Sequence, residues 1–339
     1  MGANELIEKI LDAEKCGDLF TNDKLMIKTD FRIYSKMIHP DICKEPLADK
    51  AMTHLVNLYN QALDCLAKGV WESRNSEVIS PKLILKDVKD ISAFELGARY
   101  VIDTSITYVF DSGRIAYRNQ FLDMVSDMNV FLRNHSDIHK RYQSMIPNVI
   151  KYMWPISADR SVVMISKKEN EYPMNLFLKA YQETLTGRDI AWMISRLIDL
   201  CCLLKTSGIV LNGFAEENLF ICPEDHSIHI YGGWWYAGKI GDRMLGTCKK
   251  VYSVMSNKAK TDKVCDPLTD IESVRAIAAR LIAGKDDIPK EIRNWINAGS
   301  TDDAIHEYIQ WSFTLDLAYG ARRFVKLKVD PKEIYKQKR

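Results

Sequence analysis

The sequence predicts an α+β chain: a short helical module at the N-terminus, then a body in two parts, the first small and strand-rich, the second larger and mostly helical. Three observations predict it. Residues 1–68 carry apolar side chains at helical spacing, residues 99–117 alternate as strands do, and from Asn175 onward helical periodicity dominates. A length of 339 residues allows about two domains, each with a core of its own.

The first helical stretch runs near Glu5–Lys15, the second near Lys24–Ile38 and the third near Leu47–Leu66. Pro40 disfavours helical geometry at His39, so the second helix ends at Ile38 and His39-Pro40-Asp41 falls in an exposed loop. Ile27, Phe31, Tyr34 and Ile38 form one apolar stripe, and Ala51, Leu55, Leu58 and Ala62 form a matching one, so the two helices bury both stripes as an antiparallel hairpin. Lys24, Lys28, Arg32 and Lys36 recur every fourth residue on a face roughly 110° from the stripe. Such a ridge attracts and orients an acidic partner surface. From Val70 to Asp90 the pattern is polar and mixed, which suits a linker or a first edge strand. Strands are expected at Arg99–Ile102, Ser105–Phe110 and Arg114–Tyr117, the last two joined through Asp111-Ser112-Gly113. A helix near Asn119–Arg133 and a strand near Ser161–Ser166 follow, then short strands at Leu219–Ile221 and Ile228–Tyr231 among helices. The boundaries drawn are 1–68 for the helical module, 69–90 for a linker, 91–175 and 176–328 for the two parts of the body, and 329–339 for a basic tail.

Composition narrows the function classes. With 47% hydrophobic and 27% charged residues the chain is neither disordered nor collagenous. Forty-seven basic against 45 acidic residues give +2, so it is no polycation coating nucleic acid by charge alone. Eight Lys or Arg stand between Arg322 and Arg339, a basic tail read as a solvated end. The 8 cysteines form no CxxC pair and no zinc spacing, and read as reduced thiols of a cytoplasmic protein. The most apolar helical stretch, 190–204, is too short to cross a bilayer and carries Arg196 and Asp199, so no membrane partner is expected. His226 and His229 diverge on a strand, and His54 reads as a structural or exposed helical histidine.

Residues 4–68 resemble a J-domain, the cochaperone module that stimulates ATP hydrolysis by DnaK-type chaperones. The residues carrying the resemblance are His39-Pro40-Asp41, the upstream Phe31-Arg32-Ile33-Tyr34-Ser35-Lys36 and the downstream run Ala51–Tyr59. It implies that His39, Pro40 and Asp41 carry the stimulation while Lys24, Lys28, Arg32 and Lys36 steer the chaperone. The first helix and its connection lack the usual aromatic-rich opening.

Residues 90–328 resemble a protein kinase, most closely over 190–284. Gly208-Ile209-Val210-Leu211-Asn212-Gly213-Phe214-Ala215-Glu216-Glu217-Asn218 is similar to the catalytic loop in which His-Arg-Asp is followed, five residues after the Asp, by Asn. Ile228–Trp234 takes the place of the strand ending in Asp-Phe-Gly, and Thr269–Gly284 that of the buried helix beneath the loop. Phosphoryl transfer needs one carboxylate for the attacking hydroxyl and another for magnesium, and these positions are Gly213 and Gly232. Ala116-Tyr117-Arg118 is the best match to the strand with Ala-x-Lys, and Asp127 stands in the following helix where a Glu is usual. Asn218 and Asp270 survive, although Asn also caps loops and a buried Asp also accepts backbone hydrogen bonds. Trp234, Trp235 and Tyr236, burying about 150–250 Å² each, either fill the nucleotide cleft or pack the larger lobe.

The fold class implied is an N-terminal J-domain hairpin followed by a two-lobed protein-kinase-like fold, with a small β-rich and a large mostly helical lobe. The function implied is a cochaperone or adaptor that recruits a DnaK-type chaperone, its pseudokinase body binding a client or partner, with no cofactor and no catalysis. An atypical phosphotransferase using Asn218 and a distant carboxylate is the second reading. A non-enzymatic interaction or inhibitor protein with the hairpin as scaffold is the third.

Overall fold

The computed structural model describes residues 2–21, 23–68, 77–80, 83–153, 156, 159–320 and 327–335. Residues 69–76, 81 and 82 of the expected linker, and 336–339 of the basic tail, lie outside them, as do the basic residues of 322–326. The chain divides into two compact units, Met1–Lys89 and Asp90–Arg339.

In the first unit, α1 (Ala3–Asp12), α2 (Lys24–Ile38) and α3 (Ala48–Lys68) enclose one core, and β1 (Glu77–Ser80) pairs antiparallel with β2 (Leu83–Leu85). The helix expected to reach Lys15 stops at Asp12. The Asp18 carboxylate accepts the Glu14 and Lys15 N–H groups at 3.0 Å each, offering the chain a better set of partners than another helical turn. Asp23 caps α2 by accepting from the N–H groups of Leu25 and Met26, both at 2.9 Å. Ile27 and Ile38 are buried against Ala51, Leu55, Leu58 and Ala62, while the partly buried Phe31 stacks on Tyr59 with centroids 4.1 Å apart. The His54 ring meets the Ala13 carbonyl at 2.6 Å, a structural role tying α3 to the end of α1.

The second unit opens with β3 (Asp90–Phe94), β4 (Gly97–Val101) and β5 (Ser105–Phe110), continues through α4 (Ile115–Asn134) and α5 (Ser136–Tyr142), and returns to the sheet with β6 (Asn148–Met153) and β7 (Ser161–Ser166). The five strands are antiparallel in the order β3-β4-β5-β7-β6. Arg114–Tyr117 is not the expected strand. Both edges of β5 are already taken by β4 and β7, and the stripe Phe121, Met124, Val125, Met128 and Leu132 extends the helix back through Ile115. Gly113, at φ +76°, forms the turn into α4 instead of a hairpin.

The remainder is mostly helical: β8 (Tyr172–Pro173), α6 (Met174–Tyr181), α7 (Gly187–Ser207), β9 (Ile209–Val210), β10 (Leu219–Cys222), β11 (Ser227–Ile230), β12 (Gly238–Lys239), α8 (Lys249–Val254), α9 (Asn257–Asp262), α10 (Leu268–Ile282), α11 (Lys290–Asn297), α12 (Ala304–Tyr319) and α13 (Pro331–Tyr335). A Thr186/Asp189 capping box starts α7, and Gly208 in the left-handed region ends it. Its wide apolar face is the centre of the core, with α10 and α12 packed on it. Buried Arg275 of α10 donates from Nε to Glu307 at 2.8 Å and lies over the Trp295 ring, which fixes α11 and α12 against α10. Among the described residues no helix is long and apolar enough to cross a membrane.

Candidate functional site

Two places bring the singled-out residues together, one in each unit. The first is the turn between α2 and α3. Cys43 N–H returns to the His39 carbonyl at 2.7 Å and closes the turn, which leaves the His39 and Asp41 side chains 45% and 87% exposed with Nδ1 and Oδ2 3.5 Å apart. Lys24, Lys28, Arg32 and Lys36 are all exposed along α2. Leu25, Met26 and Ile33 are also exposed on this helix, so its outer surface is apolar as well as cationic. Sequence reading missed these three because their spacing belongs to no stripe.

The second place lies between the five-stranded sheet and the helical part. Asp270, fully buried on α10, accepts the N–H groups of Leu211 and Asn212 at 2.8 and 3.1 Å and holds the loop after β9 from below. Asn212 takes a left-handed φ of 52°, its Nδ2 donating to the Tyr236 carbonyl. Asn218 donates from Nδ2 to the Gly213 carbonyl at 2.8 Å and accepts the Gly232 N–H on its own carbonyl at 2.9 Å. Its side-chain amide and its main-chain carbonyl together clip two loops.

Around this clip the glycines are packed backbone to backbone. A Cβ on Gly213 would stand 2.8 Å from Gly233 Cα, and one on Gly232 would stand 2.7 Å from Asn218 Oδ1 and 3.1 Å from the Tyr108 hydroxyl. Neither position has room for any side chain unless its neighbours move. Tyr108 on β5 points toward Gly232, and Trp235 packs against Tyr108, Phe94 and Phe110 at centroid distances of 5.1, 4.7 and 5.8 Å. Burial pushes the Tyr108 hydroxyl far above its ordinary pKa, so it stays protonated. What remains between these rings is a void of about 60 Å³. That is room for about two water molecules.

An open cleft of about 520 Å³ adjoins it, lined by Phe94, Glu95, Glu217, Asn218 and Lys250 among others. Four of the charged groups in and beside it are paired with one another: Lys250 binds Glu217 directly and Glu216 at 3.2 Å, and Arg280 binds Glu216 at 2.6 Å. Among the described residues no three His, Cys, Asp or Glu side chains gather where they would hold a metal ion.

One sequence assignment is corrected, and one keeps its helix. Arg118 lies on the first turn of α4 and not on a strand, its guanidinium 5.5 Å from the Tyr152 ring in a separate groove of about 870 Å³ between α4 and β6. Asp127 is on the same helix but half a turn around from Arg118, too far to pair with it, and binds Lys239 at 2.8 Å instead. Tyr108, Phe94 and Arg99 were not found from sequence. Arg99 is buried and crosses to the loop, donating to the Glu217 carbonyl and to Asp90 at 3.2 Å. No local motif marks such residues.

The site is thus an aromatic-filled junction beside an open cleft in a mixed helix-and-sheet unit. No family model matches the chain, and no curated protein does. Among solved structures the chain is similar to the structure of vaccinia related kinase 3, with 12% identity and a TM-score of 0.42 over 74% of this chain and 78% of that one.

Titration of Asp270 has a consequence for stability. Burial outweighs its two backbone hydrogen bonds and raises its pKa from 3.8 to about 7. The folded protein therefore keeps this proton to higher pH than the unfolded chain, and the stability it carries is full below about pH 4 and lost as the pH rises through about 7. Buried His229, held below its ordinary pKa by desolvation, acts in the opposite sense over part of that range. The Asp270→Asn variant separates the two. Denaturation from pH 4.5 to 8 should show the wild type losing about 2–4 kcal/mol relative to the variant as the pH rises. A difference independent of pH would contradict the assignment.

Proposed function

We propose that the chain is a J-domain-like cochaperone or adaptor: His39-Pro40-Asp41 engages a DnaK-type chaperone, and the protein-kinase-like second unit is a binding platform that transfers no phosphate. The observation that carries the first half is the exposed His39/Asp41 tip at the end of a helix whose outer surface bears Lys24, Lys28, Arg32 and Lys36. A cationic ridge accelerates and orients encounter with an acidic surface, and the tip supplies the specific contact.

For the second half, support comes from the sheet order, the helix after the third strand and the Asp270-held loop, which agree with the kinase resemblance of the sequence. In that arrangement the third strand bears a lysine for the phosphates, where β5 here bears Tyr108. By the sequence resemblance Gly213 and Gly232 take the positions of the two carboxylates, and Asn218 donates its side-chain amide to the Gly213 carbonyl. Tyr108, Phe94 and Trp235 leave only about 60 Å³ between them, beside the open cleft, so the space next to Gly232 is taken up by rings.

Steady-state ATP hydrolysis by a DnaK-type chaperone tests the reading. Wild-type protein should stimulate it several-fold, and His39→Gln should remove the stimulation without changing the melting midpoint, since the ring is half exposed. Absence of stimulation by the wild type overturns the first half. A melting shift with magnesium and ATP, the mark of a ligand bound to the folded state, overturns the second.

A further inference from the structure

We infer that Cys16 and Cys65 are a redox pair, converted by a small disulfide oxidant of the glutathione class into a disulfide that ties the segment after α1 to the last turn of α3. Cys16 opens the 3₁₀ turn Cys16–Asp18, and Cys65 lies on α3 close to its end at Lys68. The Cys16 thiol donates to the Cys65 sulfur at 3.7 Å, although the two residues are 49 positions apart in sequence. The backbone around Cys16 is fixed from several sides. Its N–H donates to Gln61 Oε1 at 2.8 Å, one helical turn before Cys65, and its carbonyl accepts the Phe20 N–H at 2.9 Å. Asp18 holds the turn by accepting the N–H groups of Glu14 and Lys15. A disulfide needs about 2.05 Å between its sulfurs, and rotation of roughly 30° at each χ1 closes the remaining gap of about 1.7 Å.

Exposure sets the order of events. Cys16 is buried and Cys65 only partly so, and the oxidant therefore meets Cys65 first. Cys65, as thiolate, attacks one sulfur of the oxidant, whose disulfide bond breaks and whose other half leaves as a thiolate. The Cys16 sulfur then attacks the Cys65 sulfur, its proton passes to the second departing thiolate, and the protein disulfide forms. Two protein thiols are oxidised, and one small disulfide is reduced to two small thiols. The five cysteines of the second unit compete poorly. Burial raises the thiols of Cys201, Cys202, Cys222, Cys248 and Cys265 above their ordinary pKa and keeps them protonated, whereas the thiolate is the nucleophile in exchange. The new bond encloses α2, the His39 tip and most of α3 in one covalent loop, and it stabilises the fold by restricting the unfolded chain.

Linkage sets the scale of the effect: whatever factor folding adds to the exchange constant with glutathione, the bond adds to the folding equilibrium. The full chain, equilibrated with reduced and oxidised glutathione, quenched in acid and mapped by mass spectrometry, gives that constant. With about 1 mM of each form the Cys16–Cys65 link should be nearly complete in the folded protein, and the constant should fall about tenfold or more in denaturing urea. Cys65→Ser should remove the link and, because Cys65 is only partly buried, keep the melting midpoint of the reduced wild type. Cys43→Ser, which alters the third cysteine of the first unit, should leave the constant within about twofold of the wild type. A glutathione adduct that stays on Cys65 without passing to Cys16 overturns the inference. So does a link formed by another pair of cysteines, or an exchange constant that is the same in urea as in the folded protein.

Discussion

Gly232→Asp should lower the melting midpoint of the Asp90–Arg339 unit by about 10 °C and confer no ATP-dependent activity. The reason is steric before it is chemical. The first carbon of the new side chain would stand 2.7 Å from Asn218 Oδ1 and 3.1 Å from both Asn218 Cα and the Tyr108 hydroxyl. Asn218 cannot step aside cheaply, because its Nδ2 is bound to the Gly213 carbonyl and its own carbonyl receives Gly232 N–H. The carboxylate itself would then be buried, and the cation lining the same void, Arg99, is already committed to Asp90 and the Glu217 carbonyl. Scanning calorimetry checks the expectation. A Gly232→Asp protein melting at the wild-type temperature would show that the two loops part readily, and gain of magnesium-dependent ATP binding would show a nucleotide site needing one acid for its repair.

Trp235→Ala should cost the same unit about 3–5 kcal/mol, the range for removing a large buried aromatic side chain. Trp235 is 1% exposed and, besides its neighbour Tyr236, meets four rings, those of Phe94, Tyr108, Phe110 and Phe121, which come from β3, β5 and α4. Deleting the indole leaves those rings facing a cavity they cannot collapse into, since β5 is buried along its whole length and hydrogen-bonded on both edges. Trp235→Phe should recover much of the loss, because a ring still touches the same neighbours. Chemical denaturation gives both values, and a loss below about 1 kcal/mol for the alanine variant would mean that the rings are not a shared core.

The hairpin was legible because its two stripes repeat every three or four residues over long helices, and because Pro40 punctuates them. Asp270 was legible as a possible acceptor of backbone hydrogen bonds, and that is the role it takes at Leu211 and Asn212. Arg114–Tyr117 was misread because four residues of mixed polarity fit a strand and a helix equally well, and only the occupied edges of β5 decide between them. β3 and β6 escaped notice for a related reason. They lie at the two edges of the sheet, where one face or more is solvated and the alternation is weak. The partners of Trp235 were beyond reach, since alternation groups Ile106, Tyr108 and Phe110 on one face of β5 but cannot say which distant loop that face meets.

The attachments of α4 carry a mechanical corollary. Gln120 donates to the Ala237 carbonyl at 2.6 Å and Asp127 holds Lys239 at 2.8 Å, so the helix is tied at two points to the chain that follows the tryptophan pair, while Phe121 stacks on Trp235 between them. Moving the helix away from this segment would break a hydrogen bond, an ion pair and a ring stack together. A ligand that required the helix elsewhere would lose in affinity what that displacement costs.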